Sequence, residues 1–387
     1  MECTLQGIFQ SHFEAYAAQH RLPLYIHRAA YWISSCRTAA LGGHVRKCPA
    51  GHVERAFYNS CHQRGCPQCQ AMATESWLER QRERLLACAH HHLIFTIPHD
   101  LNALWRYNRA AMAKLLFGAV RETLVELLAD AKYLGATPAF LSALHTWGRS
   151  LWLHPHVHVL IADGGLDDNG ARVRPRRSHF LPARVLMMVF RGKFLAALRE
   201  GVACAQLHLP PDLSRERFTS LLNKLGRVKW NVRLCTRYAH GEGVAAYLAR
   251  YLKGGALKNT QIVAAGQDCV RFRYTPHPDE GEGGGEPMLM TLSPEAFLDR
   301  YLTHIAPPRL QSVRGYGLYA QRQGERLDRA RRTLGQAPVE EPKPLSAVDF
   351  LARFRQLPDA ARCPRCGSIL LFASAIAHGP APPRILH

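Results

Sequence analysis

The spacing of hydrophobic residues predicts helices over much of the chain. Apolar and aromatic side chains recur every three or four positions in residues 1–35, which is the period of a helix with one buried face. The segment at 182–201 stops at Gly201, and the segment at 293–305 opens with a serine cap and a proline. The same period predicts further helices at 74–89, 101–130 and 243–255.

Short apolar runs that stop at proline or glycine predict strands. Residues 91–98 (HHLIFTIP) end at a proline. The runs at 139–147 and 152–165 flank a polar break at Gly148–Ser150, which predicts an antiparallel pair. Helices that alternate with mainly antiparallel strands are typical of an α+β fold with a sheet covered by helices on one face. Further strands are predicted at 227–235, 269–275 and 288–292.

Composition indicates a globular protein with a polyanionic partner. The 387 residues are 47% hydrophobic and suffice for two or three domains. No run approaches the ~20 apolar residues of a membrane span, and no secretory signal is visible, so we expect a cytoplasmic protein. Fifty Lys and Arg against 30 Asp and Glu give a net charge of +20, which points to nucleic acid. A basic protein without that role is the alternative.

The cysteines are concentrated in two places. Of the 12 cysteines, five lie between Cys36 and Cys69, and the pair Cys363 and Cys366 lies near the end of the sequence. In a reducing cytosol such clusters indicate metal rather than disulfides. The terminal pair is half a zinc site without an obvious second pair.

The segment 48–70 (CPAGHVERAFYNSCHQRGCPQCQ) has the spacing of a zinc site. Two short ligand pairs separated by a loop suit tetrahedral Zn²⁺, and four protein ligands leave no open position, so the site is expected to be structural. Cys66 and Cys69 form one pair. Cys48, His52 and Cys61 compete for the other two places, and Cys36 is a more distant candidate. The candidate zinc ligands are Cys48, His52, Cys61, Cys66 and Cys69.

Three histidines alternate along the predicted strand at 152–165 (WLHPHVHVLIADGG). Side chains two positions apart on a strand share a face, so His154, His156 and His158 are expected on one side. Pro155 places His154 at the start of the strand or before it. His156 and His158 are therefore the stronger pair of ligands for a divalent cation. Two inert histidines on a polar sheet face are the alternative.

Tyr247 and Tyr251 are four positions apart on a predicted helix, and hence on one face. Tyrosine and leucine at this spacing usually mean core packing. A phenol can also attack a phosphorus atom when a nearby cation stabilises the developing charge.

Nine local motifs occur along the chain in this order: CRTAALGGHV, NSCHQRGCPQCQ, LIFTIPH, LHTWG, HPHVHVLIADGG, FRGKFLAAL, YLARYL, VRFRY and MTLSPEAFLDRYLTHIAP. In these motifs and their order the chain resembles the two-tyrosine HUH transposases of the IS91 family of insertion sequences. One departure is CPAGH at 48–52, where many relatives carry a C-x2-C pair, and it makes His52 a candidate substitute ligand.

The resemblance implies an HUH-type antiparallel sheet, with the histidine pair on a central strand and the tyrosine helix nearby. The implied reaction is rolling-circle transposition, in which single-stranded DNA is cleaved through a 5′-phosphotyrosine that leaves a free 3′-hydroxyl. His156 and His158 would hold Mg²⁺ or Mn²⁺, with His154 or His145 as third ligand. Tyr247 and Tyr251 would be the nucleophiles.

We therefore predict three regions. They are a helical, zinc-binding N-terminal domain at 1–90, an HUH nuclease domain at 91–305 and a basic C-terminal region with a C-x2-C tail at 306–387. Basic segments with interleaved aromatics, at 172–180 and 227–233, suit a single-strand groove. Two alternative functions are a non-catalytic zinc-containing nucleic-acid-binding protein and a metal-dependent phosphodiesterase that uses water as nucleophile.

Overall fold

The computed structural model describes residues 3–175, 181–239, 243–244, 255–276, 285–355 and 361–379. Its helices are α1 (Leu5–Gln19), α2 (Leu24–Ser34), α3 (Gln70–Arg84), α4 (Asn102–Tyr107), α5 (Arg109–Ala129), α6 (Ala183–Ala203), α7 (Arg215–Leu225), α8 (Pro294–Leu302), α9 (Gly324–Arg332) and α10 (Ala347–Arg355). Its strands are β1 (Gly43–Lys47), β2 (Glu54–Tyr58), β3 (His90–Thr96), β4 (Thr137–Trp147), β5 (Leu153–Leu166), β6 (Arg172–Val173), β7 (Val232–Tyr238), β8 (Ile262–Ala265), β9 (Val270–Tyr274), β10 (Met288–Leu292), β11 (Val313–Gly317) and β12 (Leu371–Ile376).

The central sheet is antiparallel and has six strands. Its order is β11-β4-β5-β3-β7, with β6 paired to the far end of β5. β4 and β5 form the expected antiparallel pair, in which His145 lies opposite His156. Together with the helices, this sheet confirms the predicted α+β class.

The two faces of the central sheet are covered differently. One face packs against α4 to α7 in the largest apolar cluster, which includes Phe95, Phe140 and Val157. The other face is apolar at one end, where Leu141 and Leu160 meet side chains of α3 and α9. At its other end this second face carries histidines instead. Strand alternation therefore separates the main core from a polar surface on the same strands.

Several predicted helices are confirmed, and their ends have local causes. The side chain of Thr4 caps α1, and that of Ser293 caps α8. The pattern at 101–130 is interrupted at Asn108, whose side-chain amide donates to the His208 carbonyl at 2.7 Å. α6 runs two residues past the predicted stop, so Gly201 lies inside the helix. A glycine suits the packing there because an added Cβ would lie 3.0 Å from Leu207.

The N-terminal helices share a core with a later part of the chain. α1 and α2 pack with α8 and with the sheet of β8, β9 and β10. β11 joins the central sheet, and β12 pairs with β1 in a third, small sheet. The predicted boundary at 305/306 thus divides residues that pair in one sheet, and the three-region division stays a prediction. No helix in the described ranges is long and apolar enough to cross a membrane.

Candidate active site and metal centres

The strand pairing of β4 and β5 brings three histidines together. His145 lies opposite His156 in the register, and His158 follows two positions later on the same face. One potential ligand nitrogen from each of His145, His156 and His158 lies within 4.8 Å of the others, and all three side chains are buried. We call these residues the histidine cluster.

Hydrogen bonds orient the two rings on β5. Nδ1 of His156 lies 2.6 Å from the carbonyl oxygen of His154. Because a carbonyl oxygen can only accept, Nδ1 donates, and Nε2 of the neutral ring keeps its lone pair. That Nε2 lies 3.1 Å from Nε2 of His158, whose Nδ1 is 3.0 Å from Nε2 of His92 on β3. Nδ1 of each of these two rings therefore has a partner that fixes the ring, as in metal sites.

The two candidates for third ligand lie in different surroundings. His145 contributes to the cluster, with its ring centroid 4.6 Å from that of His158. Nδ1 of His154 instead lies 2.9 Å from Nε2 of His99, nearer the surface. The geometry therefore favours His145.

Burial keeps the imidazoles of His156, His158 and His92 neutral. Desolvation is the main cause that lowers the pKa of His156 to about 4, and positive charge on His154 would lower it further. Burial also lowers the pKa of His158 well below its usual range and that of His92 to about 4. At pH 7 these imidazoles carry no charge, which is the form that coordinates a metal ion.

The histidine cluster lines an open cleft of about 970 Å³, which we call the histidine cleft. Trp147 stacks on the ring of His145 at 4.6 Å between centroids. The volume lies at the upper end of ordinary ligand pockets. Its wall combines cations with aromatic rings, contributed by Arg149, Arg233, Trp147, Tyr238 and Tyr274.

Tyr247 and Tyr251 lie outside the described residues. The nearest described residues before and after them are Val244 and Gly255. Val244 is buried in the apolar cluster that includes Leu141 and Leu160, on the sheet face that carries the histidines. Ala256, next to Gly255, lines the histidine cleft. The basic segment 172–180 also lies partly outside the described residues, from 176 onward.

Seven of the 12 cysteines, together with His52, form two groups, and this corrects the single site expected from the sequence. Cys61, Cys66 and Cys69 meet Cys36, while Cys48 and His52 lie with Cys363 and Cys366. The reason is the β1–β2 hairpin, which carries Cys48 and His52 in its turn and away from the other three. The first cysteine group is Cys36, Cys61, Cys66 and Cys69. The second cysteine group is Cys48, His52, Cys363 and Cys366.

The first cysteine group lies in the N-terminal core. Its sulfur atoms all lie within 4.8 Å of one another, and the Sγ atoms of Cys61 and Cys69 are 3.6 Å apart. Hydrogen bonds among the four thiols lower the pKa of Cys36 and of Cys69 and raise the pKa of Cys61 and of Cys66. Thiolate is the form that binds metal.

Two families of known proteins match the chain. The family described as "Transposase zinc-binding domain" matches residues 8–97, and the one described as "Putative transposase" matches residues 139–326. The "Putative transposase y4qJ" of Sinorhizobium fredii is 34% identical over 387 residues, which cover 97% of this chain and 96% of the relative. The chain belongs to the IS91 family of transposases.

Other similarities are more distant. The transposase for insertion sequence element IS801 of Pseudomonas savastanoi pv. phaseolicola is 30% identical over 352 residues, which cover 89% of this chain and 82% of that protein. Among solved structures, a conjugative relaxase TrwC in complex with oriT DNA, in its metal-bound form, aligns over 41% of this chain and 70% of its own. That alignment has 16% identity and a TM-score of 0.23, too low to bear on the chemistry of this transposase.

The family match and the geometry agree on where the transposase has its zinc-binding domain. Residues 8–97 contain the whole first cysteine group and two members of the second. The antiparallel sheet with a preceding zinc-binding domain confirms the predicted fold class. Sequence reasoning overlooked His92, although the run His90–His92 at the start of β3 was a visible signal.

Proposed function

We propose that this transposase cuts and rejoins single-stranded DNA through a covalent tyrosine–phosphate bond in the histidine cleft. The observation that carries the proposal is the convergence of three buried imidazoles, from His145, His156 and His158, in an open cleft. The chemistry itself goes beyond the family membership and is our inference.

The donor set fits a divalent cation. Three imidazole nitrogens on one side of an ion leave its remaining positions for water and phosphate oxygens. Oxygen-seeking Mg²⁺ gains little from imidazole, so Mn²⁺ is the better fit of the two predicted ions. When bound, the ion would neutralise charge on the scissile phosphate and orient it for attack. His156 and His158, with His145, would hold it.

Tyr247 and Tyr251 are the proposed nucleophiles. The phenol oxygen of one tyrosine forms a bond to phosphorus while the bond from phosphorus to the 3′ oxygen breaks. The phenol proton leaves to solvent, and the 3′ oxygen takes up a proton. Support comes from two residues beside the segment that carries both tyrosines. Val244 packs on the sheet face that carries the histidine cluster, and Ala256 lines the histidine cleft. Because the phosphodiester bond energy is kept, rejoining needs no ATP, and a second tyrosine allows a second strand to be cut.

The wall of the histidine cleft suits a single strand. Arg149 and Arg233 bring positive charge beside the histidines, and Trp147 and Tyr274 bring aromatic rings. Cations that meet phosphates and rings that stack on bases are the usual means of binding single-stranded nucleic acid. The net charge of +20 adds attraction at long range.

The first cysteine group is the proposed structural zinc site. Four thiolates complete the tetrahedral shell of Zn²⁺ and leave no position for substrate. The group is surrounded by apolar side chains of α1, α2 and α8. Its role would be to hold the loop at 61–69 against these helices.

The test is a covalent-adduct assay with single-stranded oligonucleotides from the two ends of the insertion sequence, in Mn²⁺. A 3′ label should appear in an SDS-resistant adduct with the protein, while a 5′ label should appear on a free fragment ending in a 3′-hydroxyl. Tyr247→Phe and Tyr251→Phe together should abolish the adduct. Tyr107→Phe is the matched control, since that ring is 55% exposed and lies outside the cleft.

Each alternative gives a different result. Release of both labelled fragments without an adduct would mean that water is the nucleophile. An adduct that survives in the double variant would remove both tyrosines from the mechanism. Binding without any metal-dependent cleavage would leave a nucleic-acid-binding protein.

A further inference from the structure

We propose that Cys48, His52, Cys363 and Cys366 bind a second structural zinc ion, which fastens the C-terminal tail to the N-terminal zinc-binding domain. Their ligand atoms all lie within 4.8 Å of one another, although Cys48 and Cys366 are 318 positions apart in the sequence. The site is separate from the proposed catalytic chemistry, and it would stand if that chemistry were disproved.

The distances within the second cysteine group are those of a compact ligand set. The Sγ atoms of Cys48 and Cys366 are 3.5 Å apart. Nδ1 of His52 lies 3.8 Å from Sγ of Cys48 and 3.9 Å from Sγ of Cys363. Three thiols and one imidazole form a common ligand set of structural zinc, in which the ion has no open position.

Two similar backbone turns present these ligands. In the first, the amide of Cys48 donates to the carbonyl of Val53 at 2.9 Å. In the second, the amide of Cys363 donates to the carbonyl of Ser368 at 2.8 Å, again five positions later. Each turn also contains a glycine in the left-handed region, Gly51 with φ 73° and Gly367 with φ 71°. Two tight turns that face each other, each with a pair of ligands, are how a chain encloses a tetrahedral ion.

Strand pairing supports the arrangement independently of the cysteines. β12 pairs antiparallel with β1 from Gly43 opposite Ile376 to Lys47 opposite Leu371. Gly42 makes this approach possible, because a Cβ there would lie 2.6 Å from the Ile376 carbonyl oxygen. The tail therefore meets the hairpin at its strands and at the turns beyond them.

Beyond this strand pairing, few buried side chains in the described residues hold residues 361–379 in place. β12 is exposed from Leu371 to Ala375, and the buried residues of the associated cluster are Cys48, Cys363 and Leu370. A three-stranded sheet with so small a core needs a disulfide or a metal ion to be stable, as small domains do. The proposed ion supplies it and makes the zinc-binding domain depend on residues far beyond its matched range of 8–97.

The test is the zinc content of the purified full chain, measured by mass spectrometry of the metal. The double variant Cys363→Ser, Cys366→Ser should contain one zinc ion per chain fewer than the wild type. The matched control is the double variant Cys3→Ser, Cys204→Ser, which changes two exposed cysteines outside both groups and should lose none. Equal zinc content in the wild type and in the Cys363/Cys366 variant would overturn the proposal.

A second pair of variants distinguishes the loss of a zinc ligand from misfolding. His52 is exposed, so its replacement should not disturb the core. His52→Ala should lose the same zinc ion to a chelator faster than the wild type, whereas His52→Cys should retain it by completing a four-cysteine set. Hydrogen exchange over 371–376 should speed up in His52→Ala and remain unchanged over 137–147. Identical zinc loss in the two variants would contradict the assignment of His52.

Discussion

The histidine cluster and the first cysteine group differ in how many ligands they offer and in what surrounds them. The histidine cluster offers three imidazoles from one hairpin of a rigid sheet, and it opens into a cleft of about 970 Å³. The first cysteine group offers four thiols from a helix end and a loop, and its surroundings are apolar side chains.

This difference separates two uses of a metal ion. A closed set of four ligands contributes to folding, whereas an incomplete set in an open site leaves positions for substrate. In the histidine cluster the sheet already fixes the three imidazoles through its own strand pairing. Removal of metal should therefore affect the two regions in opposite ways, with activity lost in one and stability lost in the other.

The largest effect is expected from His156→Ala or His158→Ala. Either change removes a ligand of the proposed ion, and cleavage of single-stranded DNA should fall at least about 1,000-fold, since such ions supply several kcal/mol to the transition state. DNA binding and Tm should change little because the hairpin keeps its apolar face. The measurement is the rate of strand cleavage in Mn²⁺, with His208→Ala as an exposed control. Loss of binding together with cleavage would show instead that the histidines support the fold.

The reciprocal experiment is Cys61→Ser. Loss of one thiolate should release the zinc of the first cysteine group and lower the free energy of unfolding by about 3 kcal/mol, at the upper end of ordinary single substitutions. Thermal unfolding and zinc content measure this, with Cys204→Ser as a control outside both groups. The cleavage rate per folded molecule should be preserved. An unchanged Tm would contradict the structural role of the first cysteine group, and with it the contrast with the histidine cluster.

A smaller effect should separate the two candidates for third ligand. His145→Ala should weaken Mn²⁺ binding at least about 10–100-fold, which is the range seen when a supporting contact of a metal site is removed. His154→Ala should weaken Mn²⁺ binding less. The ring of His154 pairs with His99, and only the backbone carbonyl of His154, which the substitution keeps, contacts His156 of the cluster. Calorimetric titration with Mn²⁺ compares the two variants. The reverse order would make His154 the ligand.

Features with a local cause were predictable from sequence. The His156 and His158 pair follows from the two-residue period of a strand, and α1 and α8 follow from their caps and apolar spacing. The strand predicted at 227–235 is only partly confirmed. β7 begins at Val232 because Trp230 turns into the core, where its indole N–H donates to the Leu225 carbonyl at 3.0 Å.

Features that depend on distant pairing were not predictable. Cys36 reaches Cys61 because the Arg37 amide donates to the Asn59 carbonyl at 3.0 Å, and no spacing rule encodes that contact. Cys48 meets Cys366 only through the pairing of β1 with β12. The sequence offers His145 and His154 as equal candidates, and only the register of β4 and β5 shows that His145 lies opposite His156. In each case the partner is chosen by tertiary structure and not by the local pattern.

The smallest expected effect concerns His304, which joins the two regions. It follows α8, whose Tyr301 hydroxyl donates to the Gly65 carbonyl beside the first cysteine group. Nε2 of His304 donates to the Leu151 carbonyl at 3.0 Å, so Nδ1 accepts from the Thr146 hydroxyl at 3.1 Å, next to His145. Burial lowers the pKa of His304 to about 4.

Acid should therefore weaken the contacts of His304 with Leu151 and Thr146. Between the unfolded pKa of about 6.5 and the folded value of about 4, the unfolded chain binds a proton that the folded chain does not. Stability from His304 is thus complete above pH 6.5 and declines as the pH falls toward 4. His304→Gln should show a smaller drop in Tm between pH 7.5 and pH 5 than the wild type or exposed His208→Gln, measured by calorimetry. An equal drop in all three proteins would mean that the two regions respond to acid independently of this contact.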